Sequence, residues 1–362
     1  MEAAVMELSE YKLETLREDG EFILYRGQHR DQPDIPHVLL LAPVSTRPAP
    51  ESLKRIEHEY SFRAELDPAW AVRPLVLSQH SGRTVLVLED PGGAPLDRLI
   101  QGPMGMTQFL RFAIGLATAL SHLHKRELIH KDVKPSNVLA DSATGQVWLM
   151  GFGIASRLPR ERQSPEPPEF IAGTLPYVAP EQTGRMNRSI DSRCDLYAFG
   201  VTLYEMLTGS LPFTASDPME WVRCHIARQP VPPGERVKHV PGSVSAIIMK
   251  LLAKTAEERY QTAAGAESDF RRCLAEWETQ HRIDDFPLGG HDTPDRLLIP
   301  EKLYGRASEI ETLLTSFDRV VAGGRPELVL VSGYSGIGKS AVVNERFCRK
   351  VAFSRVLASV SH

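Results

Sequence analysis

The 362-residue sequence is poor in the features that would take it away from ordinary globular proteins. It holds four cysteines, Cys194, Cys224, Cys273 and Cys348, with no CxxC pair or other metal-ligand spacing. They read as free buried thiols in a reducing compartment, which excludes a disulfide framework and a zinc ribbon. The twelve histidines contain no HExxH, and His122 and His124 stand two apart, so a helix would not turn them to one face. An excess of positive charge is missing too. Lys plus Arg total 42 against 46 Asp plus Glu, a formal charge of −4, which gives no support to a partner held by phosphate neutralisation such as nucleic acid. No apolar run approaches the ~18 to 20 residues that cross a bilayer. The first ten residues carry Glu2, Glu7 and Glu10 and no Lys or Arg, the wrong flank for a signal peptide. The expectation is a cytoplasmic protein with no membrane insertion and, on length, about two domains.

Local patterns divide the chain. Phe22–Tyr25, His37–Leu41 and Thr84–Leu88 read as strands, with a charged helix over 51–66 between the last two. From Gly105 the character changes: Phe109, Phe112, Leu116, Leu120 and Leu123 recur at three and four, one buried helical face. Helical patterns follow at 194–207, 219–226, 244–253 and 263–278. The Pro- and charge-rich stretch 157–170 reads as a mobile loop. A second break, 280–300, has Pro, Gly-Gly and Asp without periodicity; beyond it lie a helix at 307–321 and a buried strand at 327–331.

The stretch Ile129-His130-Lys131-Asp132-Val133-Lys134-Pro135-Ser136-Asn137-Val138-Leu139 carries the chemistry. A carboxylate, a lysine two residues on and an amide five residues on suit phosphoryl transfer. Asp132 can take the proton of an attacking hydroxyl, Lys134 can neutralise the moving phosphoryl group, and Asn137 can ligate Mg²⁺. This stretch resembles the catalytic loop of serine/threonine protein kinases, and other motifs of that family follow in order. Gly173-Thr174-Leu175-Pro176-Tyr177-Val178-Ala179-Pro180-Glu181 resembles the end of an activation segment, and Asp195-Leu196-Tyr197-Ala198-Phe199-Gly200 the start of the central buried helix. Arg259 sits where the family places the partner of Glu181. The resemblance implies an α+β, two-lobed fold over 1–275 (small lobe about 1–90, large lobe about 91–275), with ATP and Mg²⁺ as cofactors. It implies structural roles for Glu181, Asp195 and Arg259.

Three motifs depart from that pattern. The family's Gly-rich loop lets backbone approach the phosphates, but its glycine positions fall here on Arg17, Asp19 and Phe22. The third-strand lysine is replaced by Leu41, in Val38-Leu39-Leu40-Leu41. Glu59, the helix glutamate that would pair with that lysine, is left without it and is expected to be solvated. The Asp-Phe-Gly metal motif reads Gly151-Phe152-Gly153, so the main Mg²⁺ carboxylate is absent. Charge-assisted contacts are worth roughly 1.5 to 3 kcal/mol each, so losing two aimed at the transition state costs at least about 10² to 10⁴ in rate. Lys131 also replaces the arginine that clasps an activation-loop phosphate, and lysine lacks its bidentate grip. Hydroxyls at Ser156, Ser164 and Thr174 remain available.

Beyond the linker (276–302), Leu328-Val329-Leu330-Val331-Ser332-Gly333-Tyr334-Ser335-Gly336-Ile337-Gly338-Lys339-Ser340 reads as a strand running into GxxxxGKS. Gly333, Gly336 and Gly338 shape a phosphate nest, Lys339 reaches the outer phosphates and Ser340 offers its hydroxyl to Mg²⁺. Residues 303–362 are thus the opening of a P-loop ATPase of the AAA type, without room for an acidic strand after the loop. Lys302-Leu303-Tyr304-Gly305-Arg306 with Glu309-Ile310, and Gln182-Thr183-Gly184-Arg185-Met186-Asn187-Arg188-Ser189-Ile190-Asp191, are similar to bacterial trifunctional proteins that join a serine/threonine kinase, an ATP-binding domain and a sensor histidine kinase. That resemblance implies a regulatory input module in two-component signalling, with a protein partner or downstream histidine-kinase modules. Two alternatives stand beside a degenerate kinase: an active kinase working through Asp132 with a metal carboxylate supplied from elsewhere, and a scaffold that never binds nucleotide.

Overall fold

The computed structural model describes residues 8–32, 34–80, 82–157, 160–161, 171–186, 188–294, 305–323, 325–334, 339 and 342. A five-stranded antiparallel sheet opens the chain: β1 (Tyr11–Glu18), β2 (Phe22–His29), β3 (Val38–Pro43), then helix α1 (Pro50–Ser61), β4 (Pro74–His80) and β5 (Arg83–Glu89). Its spatial order is β1-β2-β3-β5-β4. β3 is the centre, which explains its unbroken apolar run, since a strand covered on both faces has no solvent side to alternate with. Leu39 and Leu41 point into a core shared with Ile56 of α1, while Val38, Leu40 and Ala42 point into a second core with Leu8, Tyr11, Val85 and Val87. Pro50 opens α1 with its φ already set for a helix.

The second lobe is built on helices. After β6 (Ala94–Pro95) and the single turn α2 (Leu96–Leu99) comes α3 (Met106–Lys125), whose buried face includes the residues at spacings of three and four read from the sequence. β7 (Val138–Ala140) pairs with β6 on one side and with β8 (Val147–Leu149) on the other, and β9 (Arg160–Glu161) pairs with β10 (Ile190–Asp191). Then follow α4 (Arg193–Thr208), α5 (Pro218–Ala227), α6 (Pro233–Arg236), α7 (Gly242–Leu251) and α8 (Ala263–Gln280). α4 is buried on nearly every side and runs through the middle of the lobe. A Cβ on its Gly200 would lie 2.8 Å from Leu251 Cβ, so glycine there lets α7 approach closely. Residues 281–294, read from sequence as part of a linker, lie against this lobe. Ile283 is buried in its core, and the Asp292 carboxylate accepts the N–H groups of Gln261 and Thr262.

Four strand and helix expectations change. β1 and β4 are strands beyond those expected from the sequence: β1 pairs along its length with β2, and β4 with β5. The helix expected to reach Leu66 stops at Ser61. The buried strand expected at 327–331 is absent: no strand pairs with it among the described residues, and Leu328 and Leu330 are largely exposed. A parallel strand has no stability without hydrogen-bonded neighbours. Before it, α9 (Ala307–Gly323) matches the helix expected there. The loop expected over 157–170 falls mostly outside the described residues. No described helix is long and apolar enough to cross a membrane.

Candidate functional site

The loop between α3 and β7 is held from beneath by one carboxylate. Asp195, in the first turn of α4, accepts the backbone N–H of His130 at 2.9 Å, that of Lys131 at 2.8 Å, and a bond from His124 Nε2 at 2.9 Å. Burial alone would push its carboxyl up, but the bonds and charge of His124 and His130 hold it below the ordinary carboxylate range. His130 is fully buried, its ring against Phe152 at 4.8 Å and its Nε2 on the Met150 carbonyl; burial lowers its pKa. Lys131 has a φ of 67°, a conformation costly for a side chain other than glycine, and the Asp195 clamp maintains it.

That clamp presents Asp132, Lys134 and Asn137 together. Asn137 Nδ2 donates to the Asp132 backbone carbonyl at 2.9 Å and to its Oδ2 at 3.0 Å. Lys134 Nζ lies 3.1 Å from Asp132 Oδ2 and donates to Thr174 Oγ1 at 2.6 Å. Asp132 Oδ1 accepts the Thr174 N–H at 2.9 Å. Lower in the lobe, Arg259 forms a two-pronged buried pair with Glu181, at 2.6 and 2.8 Å. Lys131 Nζ meets Glu161 on β9 at 3.0 Å, so a carboxylate of the same chain lies where the resemblance places a loop phosphate.

The small lobe closes the cleft with an unusual set of side chains. Arg17, at the end of β1, reaches across to the other lobe: its Nη1 donates to Asn137 Oδ1 at 3.0 Å and to the Ser136 carbonyl. Its Nε is buried without a partner. Asp19 accepts the N–H groups of Glu21 and Phe22 and so caps the β1–β2 turn. Leu41 is packed into the core. Glu59 is not solvated as expected. It is 2% exposed and accepts the Gly151 N–H at 3.1 Å. Burial raises its carboxyl to about 7, against the lowering effect of the Gly151 and Phe152 backbone bonds and the Arg17 charge. The physical reason is that α1 packs close against the 151–153 turn, so a glutamate that loses its lysine stays inside and keeps its proton instead.

The donors present do not fit Mg²⁺. Mg²⁺ takes six oxygens and, beside waters and phosphates, needs one or two protein carboxylates free to bind it. Here position 151 supplies no carboxylate, the Asn137 oxygen is already bonded by a guanidinium, and Asp132 is paired with Lys134. Among the described residues no group of three or more His, Cys, Asp or Glu is placed to hold a metal. A Cβ at Gly151, whose φ is 80°, would lie 2.7 Å from the Asn137 amide carbon. The space an aspartate would need is therefore filled by the residue it would work with. Arg17 was visible in the sequence only as a side chain in place of glycine; the available signal was a cation at a position that faces phosphate.

In the second segment, Lys339 Nζ donates to the carbonyls of Gly333 and Tyr334, at 2.8 and 3.0 Å. Gly336, Gly338 and Ser340 lie outside the described residues.

Comparison with known proteins agrees with this geometry. Residues 302–359 match the model for the AAA ATPase domain. The chain is 35% identical over 206 residues to hybrid signal transduction histidine kinase G of Dictyostelium discoideum, covering 51% of this chain and 6% of that protein. It is 36% identical over 189 residues to the serine/threonine-protein kinase PknB of Mycobacterium tuberculosis, covering 52% of this chain and 30% of PknB. A probable serine/threonine-protein kinase of Corynebacterium efficiens is 31% identical over 224 residues, 60% of this chain and 33% of the relative. The chain thus spans a third or less of these relatives. With two lobes, a 129–139 loop clamped by Asp195, a buried Glu181–Arg259 pair and a match to the protein kinase domain over residues 43–270, the chain belongs to the protein kinase family.

Proposed function

We propose that the two-lobed domain is a regulatory module of a multidomain two-component signalling protein, acting by binding a protein partner, with phosphoryl transfer weakened or lost. The observation that carries this reading is the interlock at the cleft centre. Gly151 offers no metal carboxylate, and Asn137 fills the space one would need. Leu41 adds a buried hydrocarbon where the family's phosphate-clamping lysine belongs. The partner class is drawn from the likeness to a hybrid histidine kinase and from the AAA segment that follows. In that segment, Gly333, Gly336, Gly338, Lys339 and Ser340 are assigned to nucleotide phosphates, Ser340 also to Mg²⁺. The domains are taken as 1–275, a linker at 276–302 whose residues up to 294 pack on the large lobe, and 303–362.

One observation favours the active-kinase reading: the Glu59 carboxylate accepts the Gly151 N–H at 3.1 Å and so stands beside the position where the family carries its metal carboxylate. With a pKa near 7 it carries its proton for half the time at neutral pH, which makes it a poor ligand for a hard cation. The experiment is transfer of label from γ-labelled ATP to the chain itself and to a generic Ser/Thr protein substrate, alongside Asp132→Ala. The proposed function expects equal, background labelling in both. Labelling that falls more than tenfold in Asp132→Ala overturns it.

A further inference from the structure

β1 is tied to the large lobe at an irregularity in its own pairing. Thr15 lies opposite Tyr25 of β2, but Arg17 lies opposite Leu24, so Leu16 is an extra residue in the ladder. Unbroken alternation would keep Leu13, Thr15 and Arg17 on one face, where Leu13 and Tyr25 pack against the second core. The extra residue turns Arg17 to the face of Leu24, which looks toward the other lobe. There its Nη1 meets two acceptors of the large lobe, Asn137 Oδ1 at 3.0 Å and the Ser136 carbonyl. The side chain is 8% exposed, so water competes little for these bonds.

We propose that Arg17 is an interlobe latch, an autoinhibitory contact that holds the two lobes closed on each other and withholds the Asn137 oxygen from metal. The proposal rests on the reading of the cleft as deficient in transfer and names the contact that regulates it. Each bond from a charged donor shifts an open–closed equilibrium by about tenfold or more. Both acceptors belong to the 129–139 loop, so the latch seizes the loop that carries the chemistry.

The surroundings hold the latch in place. Asp19 Oδ2 stands 3.8 Å from Arg17 Nη2, and that carboxylate is itself fixed by the N–H groups of Glu21 and Phe22. The guanidinium is therefore oriented from its own lobe before it reaches the other. Arg98 of α2 donates to the Thr15 carbonyl at 3.0 Å, a second tie on the same stretch of β1. Beneath these bonds Leu16 and Leu24 of the small lobe share one buried core with Leu139 and Met150 of the large lobe. Opening the lobes breaks the charged bonds and re-exposes apolar surface in the same motion. Closure is supplied by the chain's own side chains.

The test is amide hydrogen exchange on the full chain carrying Lys339→Ala, which keeps the phosphate loop of the second segment out of the measurement. The reporter is the Gly151 N–H, bonded to Glu59 of α1 across the cleft. Residues 39–41 of β3 and 196–206 of α4 serve as controls within each lobe. Arg17→Ala should speed exchange at 151 at least threefold and leave both controls within twofold. Arg17→Lys, which keeps the charge, should have a smaller effect. Acceleration below threefold in a folded Arg17→Ala overturns the proposal. So does acceleration shared equally with the controls, which reports lost stability and not opening. A further arm needs no change at Arg17 and decides the matter even if that variant unfolds. Mg²⁺ with ATP should leave exchange at 151 within threefold, and a larger slowing would show that closure waits for a ligand. Label transfer is read separately: Asp132-dependent transfer beside the expected exchange pattern removes the transfer-deficient reading alone.

Discussion

The floor of the site and the cleft above it use charge in opposite ways. In the floor, each buried charge meets a partner that fixes backbone: Glu181 with Arg259, and Asp195 with the N–H groups of residues 130 and 131. In the cleft, side chains at the substrate-facing positions bond one another: Arg17 to Asn137, Asn137 to Asp132, Lys134 to Asp132. The frame and the chemistry are therefore separable. The frame is stabilised by internal pairs that never involve a ligand, so it persists while the cleft is rebuilt.

Breaking the frame should have the largest effect. Arg259→Ala leaves the Glu181 carboxylate buried without its counter-charge, and the expected loss is about 3 to 5 kcal/mol of unfolding free energy. Urea unfolding followed by circular dichroism measures it; a loss below about 1 kcal/mol would show that the pair does not hold the lobe.

The cleft has a pH signature opposite in sign to that of the frame, where the lowered carboxyl of Asp195 gives stability that is lost as pH falls. The folded pKa of Glu59 is near 7 and its ordinary value is 4.5. Between those values the folded chain keeps a proton that the unfolded chain has released. Stability from this group is thus complete below about pH 4.5, falls as pH rises, and levels off above about 7, a total of about 3 kcal/mol. Glu59→Gln should flatten that part of a stability-versus-pH curve. A slope unchanged in the variant places the proton elsewhere.

A smaller effect probes the interlock directly. Gly151→Ala puts a methyl group on a residue at φ 80° and against Asn137, with an expected cost of about 1 to 3 kcal/mol. In an Asn137→Ala background the steric part should disappear and only the backbone strain remain. A double-mutant cycle with no coupling between the two positions would show that they are merely adjacent.

Much of the frame was legible in the sequence because its signals are local or ordered along the chain. The 3.6-residue pattern of α3 and the order of the catalytic loop, Glu181, Asp195 and Arg259 needed no knowledge of distance. What was not legible depends on contacts across the cleft. Arg17 and Asn137 are 120 residues apart, and nothing in either segment announces that one reaches the other. Glu59 looked stranded once Leu41 replaced lysine, but its fate was decided by how tightly α1 sits on the 151–153 turn. β1 and the 327–331 stretch fail in opposite directions for one reason: a strand is made by its neighbours, which β1 has and 327–331 lacks among the described residues.

The smallest expected effect tests whether burial, and not pairing as such, is what separates the frame from the rest of the surface. Arg111 and Glu278 join α3 to α8 with an N–O distance of 3.0 Å, much like the buried pair, but their side chains are 46% and 47% exposed. Solvent screens their attraction, and ordering two long side chains offsets part of what is left, so Arg111→Ala should cost no more than about 1 kcal/mol. The substitution keeps the Arg111 Cβ that lies against Gly145 in the β7–β8 turn, so packing there is preserved. Raising salt should erase the remaining difference from the unaltered chain, because an exposed pair is screened and a buried one is not. If Arg111→Ala instead matched Arg259→Ala in cost, distance rather than burial would govern both pairs.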